Sequence, residues 1–170
     1  MKDEDAGVAG LGRPTPELQE LVLEPMQPED LAAVELIERS SFKEPWPAGT
    51  FLAELSRPIA RVTVARMRGR VLGFCNYWLV LDEVSLMAIA VHPDHRGAGI
   101  AARLLADLLS DAQHAAARLV TLEVRAGNQP AISLYTRAGF AVSYVRQRYY
   151  GDGEDALVMT RGLAALPAPG

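Results

Sequence analysis

The stretch from Leu86 to Arg103, LMAIAVHPDHRGAGIAAR, constrains this chain more than any other. It begins as an apolar run containing Ile89 and Val91 and breaks at Pro93-Asp94. A loop with Gly97 and Gly99 follows, then a long helical pattern. That order is strand, glycine turn, helix N-terminus. A helix N-terminus leaves backbone N–H groups unpaired and carries the positive end of the helix dipole. Such a turn therefore suits a phosphate or pyrophosphate. Arg96 could add its own charge to that anion. The rival reading is plain architecture, since glycine turns also precede helices that bind nothing.

The elements around this stretch form a mixed α/β pattern. Leu21 to Leu23 reads as a short strand, and Pro28-Glu29-Asp30 opens a helix that runs to about Ser40-Ser41. A second helix covers about Ala48 to Leu55. Arg61 to Met67, Val71 to Val80 and Val84 to Val91 read as three antiparallel strands. From Gly99 to Ala116, Leu104, Leu105, Leu108, Leu109 and Ala112 recur at helical period. Leu119 to Val124 is a strand, so Leu86 to Val124 is a strand–helix–strand unit with a parallel pairing and a right-handed crossover. Pro130 to Ala138 is a short helix that Gly139 terminates. Phe140 to Tyr149 and Ala156 to Thr160 are the last strands. The expected organisation is a leader over residues 1–17, one domain over 18–163 and a tail over 164–170.

Charge and cysteine content limit the function classes. With 17 basic and 21 acidic side chains the net charge is -4, which argues against nucleic acid as a direct partner. The single cysteine, Cys75, allows no intrachain disulfide and fits a reducing compartment. MKDEDAG lacks the apolar stretch of a secretion signal, and no apolar run reaches membrane-spanning length. A cytoplasmic protein with no membrane partner, monomeric or weakly dimeric, is the expectation. His92 and His95 are close in sequence but have no neighbouring cysteine, so no metal is expected.

Ligands of open α/β sheets gather beyond the carboxyl ends of parallel strands. The loops after Val91 and Val124 share that end, so Arg96 to Ala101 should converge with Glu123 to Asn128. Glu123 lies between Leu122 and Val124 in a strand that otherwise reads as buried. It is either paired with Arg125, Arg137 or another basic group, or it accepts a proton. Tyr135 either packs on the sheet or gives a proton or hydrogen bond to a departing group. Asn128 either caps its helix or touches ligand. Phe42 and Trp46, in a proline-stiffened loop, either cap the core or line a groove. Tyr149 and Tyr150 either form a cleft wall or pack on the surface.

Taken together these residues resemble one family. Arg96-Gly97-Ala98-Gly99-Ile100-Ala101 after Val91-His92-Pro93-Asp94 is similar to the acetyl-coenzyme A signature of the GNAT acyltransferase superfamily. Leu122-Glu123-Val124-Arg125, Asn128, Leu134-Tyr135, Gly139-Phe140, Arg148-Tyr149-Tyr150 and Glu154-Asp155-Ala156 resemble its RimI branch, over about Leu21 to Leu163. The resemblance implies a strongly bent, mostly antiparallel sheet, splayed at a central parallel pair, with helices on both faces. It implies acetyl-CoA as donor and a protein N-terminal α-amine, in this branch that of a ribosomal protein, as acceptor. Ile89, Ala90 and Val91 would then line the pantetheine arm and Arg96 to Ala101 the pyrophosphate. Asn128 would border the pantetheine, Glu123 would be the general base, and Tyr135 the general acid beside the thiolate. Phe42, Trp46, Tyr149 and Tyr150 would face the acceptor. The branch commonly has a shorter loop where this chain has Phe42-Lys43-Glu44-Pro45-Trp46. The alternatives are acetylation of lysine or a small amine on the same scaffold, and a non-catalytic acyl-CoA sensor or partner subunit.

Overall fold

Residues 16–164 are described by a computed structural model. The expected leader and tail lie outside them, apart from residues 16, 17 and 164. A 3-10 turn, Pro16–Glu20, precedes β1 (Val22–Pro25), and a second, Pro28–Asp30, leads into α1 (Leu31–Ser41) and α2 (Thr50–Leu55). β2 (Ala60–Met67), β3 (Arg70–Val80) and β4 (Glu83–Val91) follow, then α3 (Ile100–His114) and β5 (Leu119–Arg125). The chain continues with α4 (Gln129–Arg137), β6 (Ala141–Arg146) and β7 (Ala156–Gly162). No helix of the described residues is long and apolar enough to cross a membrane.

One sheet holds all seven strands in the order β1-β2-β3-β4-β5-β7-β6. Its neighbours are antiparallel except β4 and β5, the parallel pair that the strand–helix–strand pattern requires. Helices cover both faces. On one side Leu104, Leu105 and Leu108 of α3 and Tyr135 of α4 pack with Val120, Leu122 and Val124 of β5. On the other, Val34 and Ile37 of α1 and Phe51 of α2 pack on Phe74, Ala88 and Ala90.

The parallel pair is short. Its register runs from Glu83↔Leu119 to Leu86↔Leu122. Beyond that β4 remains bonded to β3 as far as Val91↔Gly73, and β5 to β7 as far as Arg125↔Ala156. The two central strands therefore part. A bulge marks the parting: Tyr77 opposes Leu86 and Asn76 opposes Ala88, which leaves Met87 as the extra residue. A bulge bends its strand and increases the local twist.

α3 is seated where the strands part. Its buried leucines each contribute roughly 1.5–3 kcal/mol by leaving water. The helix approaches β3 so closely that a Cβ on Gly73 would lie 2.9 Å from the Ala90 carbonyl oxygen. The same atom would lie 3.3 Å from the side chains of both Ile100 and Leu104. One turn from the helix end, the Tyr77 hydroxyl donates to Asp111 at 2.6 Å. The N-terminus of α3 is thereby held against the end of β4.

One expectation changes. The strand read from Phe140 to Tyr149 ends at Arg146, because Arg148 takes a left-handed conformation (φ 49) that turns the chain out of the sheet. Tyr149 and Tyr150 consequently sit in a loop. Glu38 and Glu54, which have the look of solvent-facing helix acids, are both only 3% exposed. Glu38 accepts the Trp46 N–H at 2.9 Å, and its burial raises its carboxyl above the usual range. Glu54 accepts from Asn76 at 3.1 Å and Trp78 at 2.6 Å and pairs with Arg57 at 3.1 Å.

Gly73→Ala is expected to lower unfolding stability by about 1–3 kcal/mol, the usual cost of overpacking, because backbone rather than a movable side chain stands in the way. Urea denaturation checks this, and an unchanged midpoint would show that α3 is not seated as tightly as described.

Candidate active site

The loop between β4 and α3 is an array of unbonded backbone donors. Among the described residues the N–H groups of Gly97, Ala98, Gly99, Ile100 and Ala101 have no hydrogen-bond acceptor. Gly97 (φ 78) and Gly99 (φ 89) are left-handed, a conformation that an L side chain strains, and their alternation with ordinary residues makes a concave anion nest. Arg96 behaves differently from expectation. Its guanidinium donates to Val91 O at 3.1 Å, Ser41 Oγ at 3.0 Å and Ser40 O at 3.3 Å. Its charge is engaged at the C-terminus of α1, so the backbone carries the loop's offer to an anion.

The strands offer a second set of open groups. His92 N–H donates to Leu72 O at 2.7 Å, which makes this pair a bonded rung of the β3–β4 ladder. By the alternation of an antiparallel ladder, the peptide groups of Ala90 face β3, while those of Ile89 and the N–H of Val91 face the gap, the Val91 carbonyl being taken by Arg96. Ala126 N–H on Asp155 O fixes β5 likewise and turns the peptide groups of Glu123 toward the gap. The parting is thus lined with backbone donors and acceptors from both sides.

Two titratable side chains flank this gap on opposite faces. Tyr135 of α4 is 6% exposed and meets Phe140 edge-on at 6.0 Å. Burial pushes its phenol far above the ordinary value, with smaller contributions from Cys75 and Tyr150. Leu122 and Val124 point into that same apolar cluster, so Glu123 between them points the other way. Its side chain is 33% exposed and pairs with Arg146 Nε at 3.0 Å, rather than with Arg125 or Arg137. The Glu123 carboxylate near Tyr149 raises the Tyr149 phenol. Asn128 caps α4, its Oδ1 accepting from Ala131 N at 3.3 Å.

On the face that Glu123 occupies, two loops close on each other. Lys43 Nζ lies 3.5 Å from Asp152 and 3.6 Å from Glu154. Glu44 accepts the Gly151 N–H at 3.1 Å and lies 3.4 Å from Arg125. Arg125 bonds Asp152 and Glu154, each at 2.9 Å, and stacks over the Tyr150 ring at 3.9 Å. Trp46 packs on Phe51 at 5.2 Å, whereas Phe42 and Tyr149 remain exposed beside the cleft. The partners of Glu44, Arg125 and Arg146 were not legible in the sequence, because they are 23 to more than 100 residues away.

Comparison with known proteins decides the family. Residues 31–140 match the Acetyltransferase (GNAT) family. The chain is 38% identical over 136 residues to a Bacillus subtilis protein provisionally named a ribosomal protein bS18-alanine N-acetyltransferase, covering 79% of this chain and 90% of that one. It is 35% identical over 133 residues to the Escherichia coli ribosomal protein bS18-alanine N-acetyltransferase, covering 76% and 89%. The crystal structure of the Escherichia coli S18-alanine enzyme superposes with a TM-score of 0.80 at 30% identity, covering 87% of this chain and 97% of that one. The chain belongs to the GNAT family, in its RimI-type branch.

This acetyltransferase takes its acetyl group from acetyl-CoA. The open groups fit that donor: the glycine nest suits a pyrophosphate, and the exposed strand edge suits the amides of a pantetheine arm. Gly97→Ala in the acetyltransferase is expected to weaken acetyl-CoA binding about 5- to 30-fold. A side chain at that φ costs roughly 1–2 kcal/mol, and relaxing the strain misaims the donors. Calorimetric titration with acetyl-CoA measures the change, and wild-type affinity in the variant would remove the nest from the binding site.

Proposed function

We propose that the enzyme acetylates the N-terminal α-amine of a protein, with a ribosomal protein as the acceptor. The relatives named above act, by their names, on an alanine of ribosomal protein bS18. The observation that carries the reading is the form of the acceptor side. Glu123 stands on an open face beside the exposed Tyr149, with Phe42 exposed in one of the two loops, and a chain end can reach it there. A small free amine would be better served by an enclosed pocket. The reading brings a cytoplasmic location with it, because ribosomal proteins are made there.

In this reading Gly97 to Ala101 hold the pyrophosphate, with Arg96 fixing the loop. Ile89 and Val91 bind the pantetheine amides through the peptide groups that face the gap, and Asn128 borders them. Acetyl-CoA supplies a thioester, whose C–S bond breaks as the amine nitrogen bonds to the carbonyl carbon. Glu123 takes the proton that the amine must lose, directly or through water. The N–H of Ile89 holds the carbonyl oxygen as negative charge develops on it. Tyr135 donates its proton to the sulfur, and the proton held by Glu123 restores the balance through solvent. No covalent bond to the protein is needed, in keeping with the deep burial of Cys75, whose thiol is pushed well above its usual range.

A panel of short peptides, each with a free α-amine or with that amine blocked and a lysine left free, tests the reading. Labelled acetyl transfer is expected only to the free N-terminus, and transfer to lysine alone would sink it. Glu123→Gln and Tyr135→Phe are each expected to lower kcat about 10²- to 10⁴-fold, the range of general acid–base catalysis, with acetyl-CoA affinity kept.

The pH profile supplies another check. An α-amine has a pKa of about 8, so kcat/KM should climb from pH 6 toward 9 as the amine loses its proton. Because burial raises the Tyr135 phenol above its ordinary value of about 10, the acid keeps its proton across that range. No descending limb is expected below pH 10 in initial-rate measurements. A fall between pH 8 and 9 in a protein still folded would contradict the assignment of Tyr135 as acid.

A further inference from the structure

We infer that Arg146 occupies the position of the acceptor's ammonium group and is displaced by it, which makes Arg146 a specificity-determining residue of the acceptor site. The inference rests on the reading of Glu123 as the group that receives the amine. Among the described residues Arg146 is the one cation within ion-pair distance of Glu123. Arg125, on the same strand two residues on, is engaged with Asp152, Glu154 and Glu44 instead.

The grip of Arg146 is a single point. Nε meets Glu123 Oε1 at 3.0 Å, while Nη2 turns away to donate to the Tyr144 hydroxyl at 3.2 Å. A forked guanidinium–carboxylate pair would use two parallel bonds and hold more firmly. Arg146 also projects from β6, an edge strand exposed along its whole length, and its side chain is 45% exposed. Exposed pairs of this kind are weak. The guanidinium lies 5.4 Å from the Tyr144 ring and 5.5 Å from the Tyr149 ring, so a resting place on aromatic faces remains when Glu123 is released.

The exchange has chemical sense. A guanidinium does not give up a proton in proteins, so Glu123 paired with Arg146 accepts none. An arriving primary ammonium carries the same charge, and it can surrender a proton, which Glu123 passes to solvent before the attack, so that the carboxylate is ionised again for the proton that the acylated nitrogen then sheds. Replacing one cation by the other turns an inert ion pair into a reactive one, only when an acceptor is present. An acceptor that brings no cation, such as an alcohol, does not displace Arg146, and the site discriminates against it.

Initial-rate kinetics with an N-terminal peptide, on wild type, Arg146→Gln and Arg146→Lys, test this. Arg146→Gln is expected to lower the acceptor KM about 3- to 5-fold, the scale of an exposed ion pair, with kcat and acetyl-CoA KM within about twofold. Arg146→Lys keeps the competing cation and should retain a wild-type KM within about twofold. A structural role would raise KM or lower kcat in Arg146→Gln, and either result, or no change at all, overturns the inference. Should wild type acetylate only lysine or a small amine, the N-terminal reading falls and the same comparison is made with that amine. Transfer to no amine by wild type overturns both.

Discussion

The structure depends on a pairing that stops early. Two parallel strands that began at Glu83 and Leu119 would, in an unbroken sheet, go on satisfying each other's backbone to their ends. Here they separate after Leu86 and Leu122, and each keeps only its outer neighbour. Backbone groups left open in a protein interior are costly unless something bonds them. A molecule that sustains such a parting must hold both strands from outside. β4 is pinned to β3 under α3, where the absence of a Cβ on Gly73 permits the contact, and β5 is pinned to β7. The gap left between them has the bonding pattern of a missing strand, which an extended, amide-bearing arm would satisfy.

The parting also divides labour between the two faces of the sheet. The α3/α4 face is apolar and holds the glycine nest at its end. The opposite face carries the charged loops that stitch residues 43–44 to residues 151–154. Trp46 anchors the first loop on Phe51, but the two loops must still be tied to each other. Fixed charge pairs do that work, and their partly buried hub is Arg125, whose side chain is 16% exposed. Lys43 and Glu44, in the loop between α1 and α2, are among the residues that cross the cleft.

What the sequence disclosed, and what it hid, follows from the range of the interactions. Gly97 and Gly99 are informative because a left-handed turn before a helix is a local demand. The parallel pair was legible because a strand, an amphipathic helix and a strand can return to one sheet in few ways. The end of β6 was hidden: Arg148 is not a residue that announces a positive φ, so the strand read on to Tyr149. Glu38 and Glu54 were hidden for another reason. Each sits on a helix where an acid ordinarily faces water, and only the folding back of Trp46, or of Asn76 and Trp78, encloses it. Glu123 reads in the sequence as a carboxylate that must be paired or used, and it is paired with Arg146. Its strand has two differently covered faces, with Leu122 and Val124 in the core and Glu123 on the open side, and the apolar neighbours made it look more buried than it is.

Those placements bear on how one fold could manage two opposed proton tasks. A group that takes a proton near neutral pH must be ionised beforehand, and water together with a neighbouring cation favours that form. A group that gives a proton must keep it until the leaving atom asks, and a dry site favours that. The two faces of the gap supply these surroundings separately: Glu123 is part-exposed beside Arg146, and Tyr135 is enclosed by Phe140 and the α3-side core. Exchanging the two residues would place a carboxylate in the dry face and a phenol in the wet one, and each would then resist its task. If they act as acid and base, the order in which they stand across the parted strands is dictated by solvation. The parted strands, which expose the backbone to the donor, are also the boundary that keeps the two environments apart.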